Sequence, residues 1–395
     1  MSDSLRPPVI LQVLPALHGG GVERGTIEMV QAIAGAGGVP LVASRGGRLV
    51  PLIGRAGGRH SVLPLHRKSP WAVWRNARRL AALIRAEGVA LVHARSRAPA
   101  WAAWLACRAT GVPLVTTWHG VHHDSFPGKR LYNGVLARGE RVIAISHFMA
   151  ARLTARYGLG QGRLRIIPRG ADTRQFDPAC VRGDRMQALA EAWDLPDDAA
   201  VIMLPARLTR WKGHLILIEA LARLAREDGV PPWVCVFVGE GARPGTRKGR
   251  FTAEIVARAR AAGIGARIRF AGHCQDMPAA LMLARVVVVP SLRPEPFGRA
   301  VIEAQAMERV VIVANHGGAA ETVIAGQTGI PVPPDDAQAL CDALRVTLDA
   351  PDEALAAMGW HARQHVLAHF TTTAMQQATL RVYDEVLGTA LAPAS

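Results

Sequence analysis

The sequence has few aromatic residues, few cysteines and no long apolar run. Phe, Trp and Tyr make up 5% of its 395 residues, and its 5 cysteines are scattered without a C-x-x-C pair. No apolar run approaches the roughly 18 residues that span a bilayer. These absences exclude a disulfide scaffold and a transmembrane helix, and they indicate a reducing, cytoplasmic compartment. The first apolar run, Val9 to Leu14, has the length of a strand and not that of a signal peptide.

Acidic residues are scarce in one half of the chain only. Residues 1–180 carry 25 Lys+Arg against 8 Asp+Glu, whereas residues 181–395 carry 22 against 23. The excess of positive charge predicts an anionic partner for the first half, such as nucleic acid, anionic lipid or a phosphorylated glycolipid. A merely Arg-rich composition is the alternative. Because aromatic residues are few and are not interleaved with the basic ones, nucleic acid is the disfavoured partner.

Short apolar runs alternate with helical patterns along the whole chain, which predicts parallel sheets covered by helices on both faces. The runs are residues 9–14, 40–44, 61–65, 90–94, 113–118, 141–146 and 164–168 in a first series, and residues 200–206, 233–239, 267–272, 286–291, 310–315 and 329–333 in a second. Two series predict an α/β chain with two Rossmann-like, doubly wound domains. We expect domains at 1–180 and 199–357, a linker at 181–198, and a helical segment at 358–395 that packs back toward the first domain. Ligands of such sheets bind beyond the carboxyl ends of the strands, so two facing domains would form a cleft.

The most informative segment runs from Val286 to Val323. An apolar run ends in a Pro-rich loop that carries Glu295. A Phe297-Gly298 pair follows, and a helix that begins near Gly298 carries Glu303, 8 residues after the first carboxylate. Free backbone N–H groups at the helix start lie between the two carboxylates. This layout suits a ligand with hydroxyls at two ends and an anion in the middle, such as a nucleotide-sugar.

Further strand ends carry residues suited to the same ligand. Arg207 and Lys212 lie in the segment PARLTRWKGH and could clamp a diphosphate, although two solvated cations are the alternative. The segment VGEG, which contains Gly239, would bring backbone groups to the ligand, or is a plain turn. His119 ends the fifth strand of the first series and could donate to a sugar oxygen; a structural histidine is the alternative.

A glycine-rich turn, Gly19 to Gly21, follows the first strand and leads into a helix. Glycines let a backbone approach a ligand closely, and the start of a helix favours an anion. A tight turn without a ligand is the alternative. The turn lacks the G-x-G-x-x-G spacing, and no acidic residue ends the second strand, which argues against a dinucleotide-binding domain.

A helical segment at residues 67–88 is amphipathic. Trp71, Trp74, Leu80 and Leu83 are expected on one face with arginines around it, a pattern suited to an anionic membrane surface. A surface helix packed on its own sheet is the alternative. The pair Lys129-Arg130 forms a second basic cluster that could meet an acceptor phosphate.

In this order, the segments resemble retaining family 4 glycosyltransferases of the GT-B fold, of the type that builds lipopolysaccharide core or lipid-linked glycans. The resemblance covers the Gly turn, His119, IPRGAD, RLTRWKG, VGEG and the two glutamates separated by seven residues. It implies donor-binding roles for Gly20, Gly21, Gly239, Phe297, Gly298, Arg299 and Glu303, and a place at the reaction centre for His119, Arg207, Lys212 and Glu295. Arg169 stands where the family usually has Asn, and Glu308-Arg309-Val310 stands where Gly and Pro are common.

In the roles that the resemblance implies, Arg207 and Lys212 hold the diphosphate, Glu295 binds hydroxyls of the donor sugar, and Glu303 binds the ribose. It also implies transfer with retention and without a metal or cofactor, and the sequence contains no Asp-x-Asp motif. The first domain would then bind the acceptor and the second the donor. We expect a cytoplasmic, peripherally membrane-bound enzyme that moves a hexose-type sugar to an anionic, lipid-linked acceptor. A soluble small-molecule acceptor, or nucleic-acid binding by the basic half, is the alternative.

Overall fold

The computed structural model describes residues 7–122, 126–241 and 249–393. The chain divides into two compact units, one made of Met1–Pro168 with Thr372–Ser395 and the other of Arg169–Thr371. The second unit therefore begins before the expected linker, and a helix over Gly183–Ala192 lies within that linker segment. The expected C-terminal segment is shared between the two units, which divide at Thr371.

The first unit contains a parallel sheet of 7 strands in the order β3-β2-β1-β4-β5-β6-β7. Its strands are β1 (Val9–Val13), β2 (Val39–Ser44), β3 (Arg59–Val62), β4 (Val89–Ala94), β5 (Leu114–Trp118), β6 (Arg141–Ala144) and β7 (Leu164–Ile166). The strand order reverses between β1 and β4, where Val13 lies opposite Ala94. Such a reversal is the place where ligands of open α/β sheets bind.

Seven α-helices accompany this sheet within the described residues: α1 (Gly21–Gly35), α2 (Val50–Arg55), α3 (Pro70–Glu87), α4 (Arg97–Thr110), α5 (Pro127–Asn133), α6 (His147–Tyr157) and, at the C-terminus, α15 (Thr372–Leu387). Local sequence explains the bounds of α3. The Ser69 side chain accepts a hydrogen bond from the Ala72 N–H, Pro70 occupies the first turn, and Gly88 ends the helix in a left-handed conformation. A capping hydroxyl, an early proline and a terminal glycine are the usual limits of a helix.

The expectation for α3 is wrong: Trp71, Trp74, Leu80 and Leu83 do not share one face of the helix. Leu80 is fully buried, whereas Trp71 and Trp74 are 61% and 44% exposed. The buried face of α3 consists of Val73, Asn76, Ala77, Leu80, Ala81 and Ile84. These residues recur every three or four positions and face the sheet and α4, so the two tryptophans project outward.

The second unit contains a parallel sheet of 6 strands in the order β10-β9-β8-β11-β12-β13. Its strands are β8 (Ala200–Pro205), β9 (Trp233–Val238), β10 (Ile268–Gly272), β11 (Val286–Val289), β12 (Val310–Ala314) and β13 (Ile330–Val332). Its helices are α7 (Gly183–Ala192), α8 (His214–Leu224), α9 (Arg250–Ala261), α10 (Met277–Leu283), α11 (Arg299–Ala306), α12 (Gly317–Ala320), α13 (Ala337–Asp349) and α14 (Asp352–His369). Every residue of β9, β11 and β12 is buried. Continuous burial is expected of parallel strands covered on both faces.

Each apolar run predicted from the sequence overlaps one strand, so the α/β class with two doubly wound parallel sheets is confirmed. The largest offset is at β3, which begins at Arg59 whereas the run begins at Ser61. One feature of the first unit was not foreseen. In its core, Tyr383 of α15 bonds through its hydroxyl to His93 Nδ1 at 2.7 Å, and His93 Nε2 bonds to Thr117 Oγ1 at 2.7 Å. Burial raises the pKa of Tyr383 to about 12 and, with Arg95 and His119 nearby, holds the pKa of His93 well below its usual value. The C-terminal helix is therefore tied to β4 and β5 by uncharged groups.

Among the described residues, no helix has both the length and the apolar character needed to cross a lipid bilayer.

Candidate functional site

The loop after β8 carries the two cations predicted to bind an anion. Arg207 is exposed at the end of the strand. A single 3-10 turn, Arg210–Lys212, follows and places the Lys212 ammonium 4.4 Å from the centre of the Trp211 ring. A cation over an indole face is attracted by the ring quadrupole, so Trp211 helps to fix the position of the ammonium group.

Gly213 allows this loop to approach the end of β11. Its φ is 81°, and a Cβ atom there would lie 1.9 Å from the Pro290 carbonyl oxygen. The Leu292 N–H also donates to the Trp211 carbonyl at 2.8 Å. A glycine is required because any side chain would meet the backbone of the next loop. The two loops are therefore held in direct contact.

This contact brings Lys212 and Glu295 together although they are 83 residues apart in sequence. Lys212 Nζ lies 2.7 Å from Glu295 Oε1. The side chains of Lys212 and Glu295 are only 17% and 10% exposed, so water screens the pair weakly. The Ser291 hydroxyl donates to the same carboxylate oxygen. One ammonium and one carboxylate thus lie side by side at the carboxyl edge of the second sheet.

The segment after Glu295 leads into helix α11. The Glu295 carbonyl accepts a hydrogen bond from the Gly318 N–H at 2.8 Å. Phe297 is buried and packs edge-on against Phe370, with ring centres 5.9 Å apart. Gly298 caps the helix in a left-handed conformation and supplies no capping side chain. The backbone N–H groups of the first turn are therefore not capped by a side chain at Gly298, which is a favourable arrangement for an anion.

Glu303 lies one turn into α11 and pairs with Arg299, whose Nη2 is 3.1 Å from Glu303 Oε1. The two side chains are 19% and 15% exposed. Arg299 and Glu303 are four residues apart, so they share one face of the helix. The second carboxylate of the predicted pair is thus held in place by an adjacent guanidinium.

The end of β9 lies next to the loop of Arg207. A Cβ atom at Gly239 would be 2.1 Å from the Ala206 carbonyl oxygen, and the Leu208 N–H donates to the Glu240 carbonyl at 3.1 Å. Since β9, β8 and β11 are neighbours in the sheet, their loops emerge at one edge. The predicted residues that these loops and α11 carry are Arg207, Lys212, Gly239, Glu295, Phe297, Gly298, Arg299 and Glu303.

His214 begins α8 immediately behind this edge. Its ring packs edge-on against Phe237 and Phe251, at centre distances of 5.2 and 5.9 Å. Burial lowers the pKa of His214 to about 4. The ring is therefore neutral at pH 7 and adds no charge beside Lys212.

Three predicted residues lie at the carboxyl edge of the first sheet. Gly20 precedes α1 with a φ of 142°, and Gly21 begins the helix. A Cβ atom at Gly20 would lie 2.8 Å from Glu23 Oε2. The Glu23 carboxylate therefore lies close to the start of this helix. His119 follows β5 and is half-buried, and its position near His93 contributes, after burial and Arg95, to the lowered pKa of His93.

Sequence reasoning missed three residues at the edge of the second sheet. Trp211 lies under the Lys212 ammonium, Ser291 donates to Glu295, and His316 Nε2 lies 2.7 Å from the Ser291 carbonyl oxygen. The position of Ser291, two residues after a strand and four residues before Glu295, was the available signal. Within the described ranges, no group of three or more His, Cys, Asp or Glu residues is arranged to hold a metal ion.

Comparison with known proteins agrees with this architecture. Residues 19–175 match the family described as Glycosyltransferase Family 4, and residues 186–365 match the one described as Glycosyl transferases group 1. The chain is similar to D-inositol 3-phosphate glycosyltransferase 1 of Catenulispora acidiphila, with 32% identity over 302 residues that cover 72% of this chain and 70% of that protein.

Two solved structures share the whole fold. A glycosyltransferase from Rickettsia africae superimposes with a TM-score of 0.88 at 33% identity, over 97% of this chain and 100% of that one. Anabaena Alr3699/HepE in complex with UDP and glucose gives a TM-score of 0.79 at 21% identity, over 95% and 99% of the two chains. The protein therefore belongs to the glycosyltransferases of the GT-B fold, with a family 4 domain followed by a group 1 domain.

Proposed function

We propose that the protein transfers a sugar from a nucleoside-diphosphate-sugar to an anionic acceptor, with retention and without a metal ion. The observation that carries this proposal is the contact between Lys212 Nζ and Glu295 Oε1, at 2.7 Å. An ammonium group suits a diphosphate, and a carboxylate suits sugar hydroxyls. A nucleoside-diphosphate-sugar carries both groups next to each other. The complex of the Anabaena structure with UDP and glucose supports this class of donor.

Cleavage of the glycosyl–phosphate bond leaves negative charge on the diphosphate. Lys212, Arg207 and the start of α11 would stabilise that charge as it develops. Glu303 would bind the ribose. In the first unit, the role proposed for Gly20 and Gly21 is contact with a phosphate, and the role proposed for His119 is donation to a sugar oxygen.

Glu295 is poorly suited to act as a covalent nucleophile. Its Oε1 already accepts hydrogen bonds from Lys212 and Ser291. Such donors stabilise the carboxylate in its ground state and reduce its tendency to attack carbon. We therefore propose that the glycosyl–phosphate bond breaks and that an acceptor hydroxyl bonds to the anomeric carbon on the same face of the sugar, while an oxygen of the leaving phosphate takes the proton of that hydroxyl.

The acceptor is proposed to be anionic because of the charge on α5 and α6. A cavity of about 400 Å³ lies between these helices and is lined by Arg130, Arg152, Arg156, Phe148, Ala151 and Ala155. Glu140 is the only acidic residue in the segment 126–168. With Lys129, these arginines would attract an acceptor phosphate. An acceptor that carries a lipid, such as lipopolysaccharide core or a polyprenyl-linked glycan, would suit both the arginines and the apolar wall of the cavity.

A soluble phosphorylated acceptor is the second candidate. The observation that favours it is the name of the Catenulispora relative, a D-inositol 3-phosphate glycosyltransferase. A cyclitol phosphate or sugar phosphate would meet the same arginines without any lipid. The two candidates share a phosphate and differ in the apolar part of the acceptor.

A panel of UDP-, GDP- and ADP-sugars tests the proposal. One donor is expected to raise the melting temperature, because a ligand at a hundred times its Kd adds about 2.7 kcal/mol to the free energy of unfolding. The same donor should label either a phosphorylated glycolipid or a soluble sugar phosphate, and this result selects the acceptor class. If no donor protects the protein and none is consumed, the proposed function is wrong.

Residence of the enzyme at the inner face of the membrane is proposed from the outer face of α3. Trp71 and Trp74 stack with their ring centres 4.8 Å apart. Arg75 lies over the Trp71 ring at 5.4 Å, and Arg78 lies over the Trp74 ring at 5.0 Å. Because cations and the partner indole already contact the faces of these rings, the surface is less suited to stacking on a base or a sugar. Exposed indoles beside arginines favour the headgroup region of an anionic bilayer.

The double variant Trp71→Ala/Trp74→Ala is expected to bind anionic vesicles at least about tenfold more weakly, because burial of one aromatic side chain is worth roughly 1.5–3 kcal/mol. Flotation with vesicles of phosphatidylglycerol and phosphatidylcholine measures the effect. Trp360→Ala is the matched control, since Trp360 is 53% exposed on α14 of the other unit. Equal flotation of the double variant and the control would contradict the proposed membrane surface.

A further inference from the structure

The two carboxylate oxygens of Glu295 are in different environments. Oε1 accepts hydrogen bonds from both the Lys212 ammonium and the Ser291 hydroxyl. Oε2 accepts none from the part of the chain that the structure describes. A carboxylate has about four acceptor positions on its two oxygens, so two donors on Oε1 leave Oε2 available to a ligand. The carboxylate is therefore anchored on one side only.

Ser291 is itself held firmly. It is 2% exposed and follows β11 by two residues. Its carbonyl oxygen lies 2.7 Å from His316 Nε2, and the next residue, Leu292, donates through its N–H to the Trp211 carbonyl. These contacts fix the backbone on both sides of the hydroxyl. A side chain held this way can set the orientation of its partner.

We propose that Ser291 is a positioning residue for recognition of the donor sugar. It holds Glu295 Oε1, so that Oε2 is directed toward the hydroxyls of the sugar. Lys212 has three N–H donors and uses one on Glu295, so it can contact the diphosphate without releasing the carboxylate. This inference rests on the proposed function, because it assumes that Glu295 binds the sugar and Lys212 the diphosphate.

The consequence is that loss of the Ser291 hydroxyl should affect recognition of the sugar and recognition of the diphosphate differently. Without the Ser291 hydroxyl, the Glu295 carboxylate still accepts a hydrogen bond from Lys212 but loses the one from Ser291. The plane of the carboxylate can then rotate. Binding of the diphosphate should survive this change, whereas recognition of the sugar should not. A residue with only a structural role would weaken both parts equally.

The test compares each nucleoside diphosphate with its glucose and galactose derivatives, for uridine, guanosine and adenosine, by titration calorimetry. Ser291→Ala is expected to raise the Kd of the preferred nucleotide-sugar by about tenfold, as for one lost hydrogen bond to a charged group. The Kd of the diphosphate alone should change less than about twofold, and the preference between the two sugars should fall. Partial unfolding would raise the apparent Kd of both ligands by the same factor, so it does not imitate this pattern.

Ser291→Thr, which keeps a hydroxyl, should recover much of the lost affinity for the nucleotide-sugar. Equal losses for diphosphate and nucleotide-sugar, or no loss for either, would overturn the role of Ser291 while leaving the proposed function intact. If the wild-type protein binds none of the nine ligands, the proposed function fails, and the inference fails with it.

Discussion

Replacement of Lys212 by alanine is expected to lower kcat/KM for sugar transfer by about a thousandfold or more, because one lost charge-stabilising donor costs roughly a hundred- to a thousandfold in kcat. The variant also leaves Glu295 without its cation in a site where that side chain is 10% exposed. Loss of one partner from a buried pair leaves an uncompensated charge, which disturbs both orientation and stability. The lost stabilisation of charge and the disturbed position of Glu295 are both expected to slow sugar transfer.

Initial rates with the donor found in the panel measure this prediction. Arg210→Ala is the matched control, because Arg210 lies two residues away, its side chain is 67% exposed, and it pairs with Glu254 instead of Glu295. The control should retain more than about half of the wild-type rate, since exposed ion pairs contribute little. A Lys212→Ala enzyme as active as the control would remove the basis for placing the diphosphate here.

Replacement of Gly213 by alanine is expected to destabilise the second unit by roughly 3 kcal/mol or more, because a left-handed residue costs about 1–2 kcal/mol and overpacking adds about 1–3. Its φ is 81°, and the new Cβ would lie 1.9 Å from the Pro290 carbonyl oxygen. Neither backbone can yield without separating the loops that carry Lys212 and Glu295. We therefore expect activity to fall together with stability. Urea unfolding and the transfer rate measure the two effects.

The variant Gly263→Ala separates the cost of the left-handed backbone conformation from the cost of a steric clash of the new Cβ. Gly263 lies in the same unit with a φ of 74°, and a Cβ there has no neighbour within 4 Å. It should lose only about 1–2 kcal/mol and keep its activity. If the Gly213 and Gly263 variants unfold at the same urea concentration, the close approach of the two loops is not what Gly213 provides.

The fold was predictable because its signals are local. A run such as Val286–Val289 is apolar at every position, short and followed by proline, which is typical of a strand buried on both faces. Alternation of such runs with helical patterns then selects parallel sheets. The glycosyltransferase class, predicted from the resemblance, is confirmed by the family matches and by relatives of the same fold.

Orientation on a helix surface was harder to predict. The interpretation of α3 grouped Trp71 and Trp74 with Leu80 because all three are apolar. Burial places them on different faces, since the sheet and α4 cover the side that contains Val73, Ala77 and Ile84. Hydrophobicity alone does not distinguish a residue that packs on the protein from one that faces outward.

The positions of the candidate residues could be predicted from the sequence, but their contacts could not. Arg207, Lys212, Glu295 and Glu303 were predicted as site residues because each lies after a strand or near the start of a helix. The sequence could not show that Lys212 and Glu295 touch, because their contact depends on the close approach at Gly213. It also could not show that Glu23 lies against Gly20, which depends on a side-chain rotation. The roles of these residues remain predictions.

The most direct measurement is the affinity of the Lys212→Ala and Glu295→Ala variants for the nucleoside diphosphate and for the corresponding nucleotide-sugar. We predict that Lys212→Ala loses affinity for both ligands, because both carry the diphosphate. Glu295→Ala should keep the diphosphate and lose only the additional affinity that the sugar provides. Wild-type affinity of both variants for both ligands would contradict the assignment of an activated sugar to this edge of the second sheet.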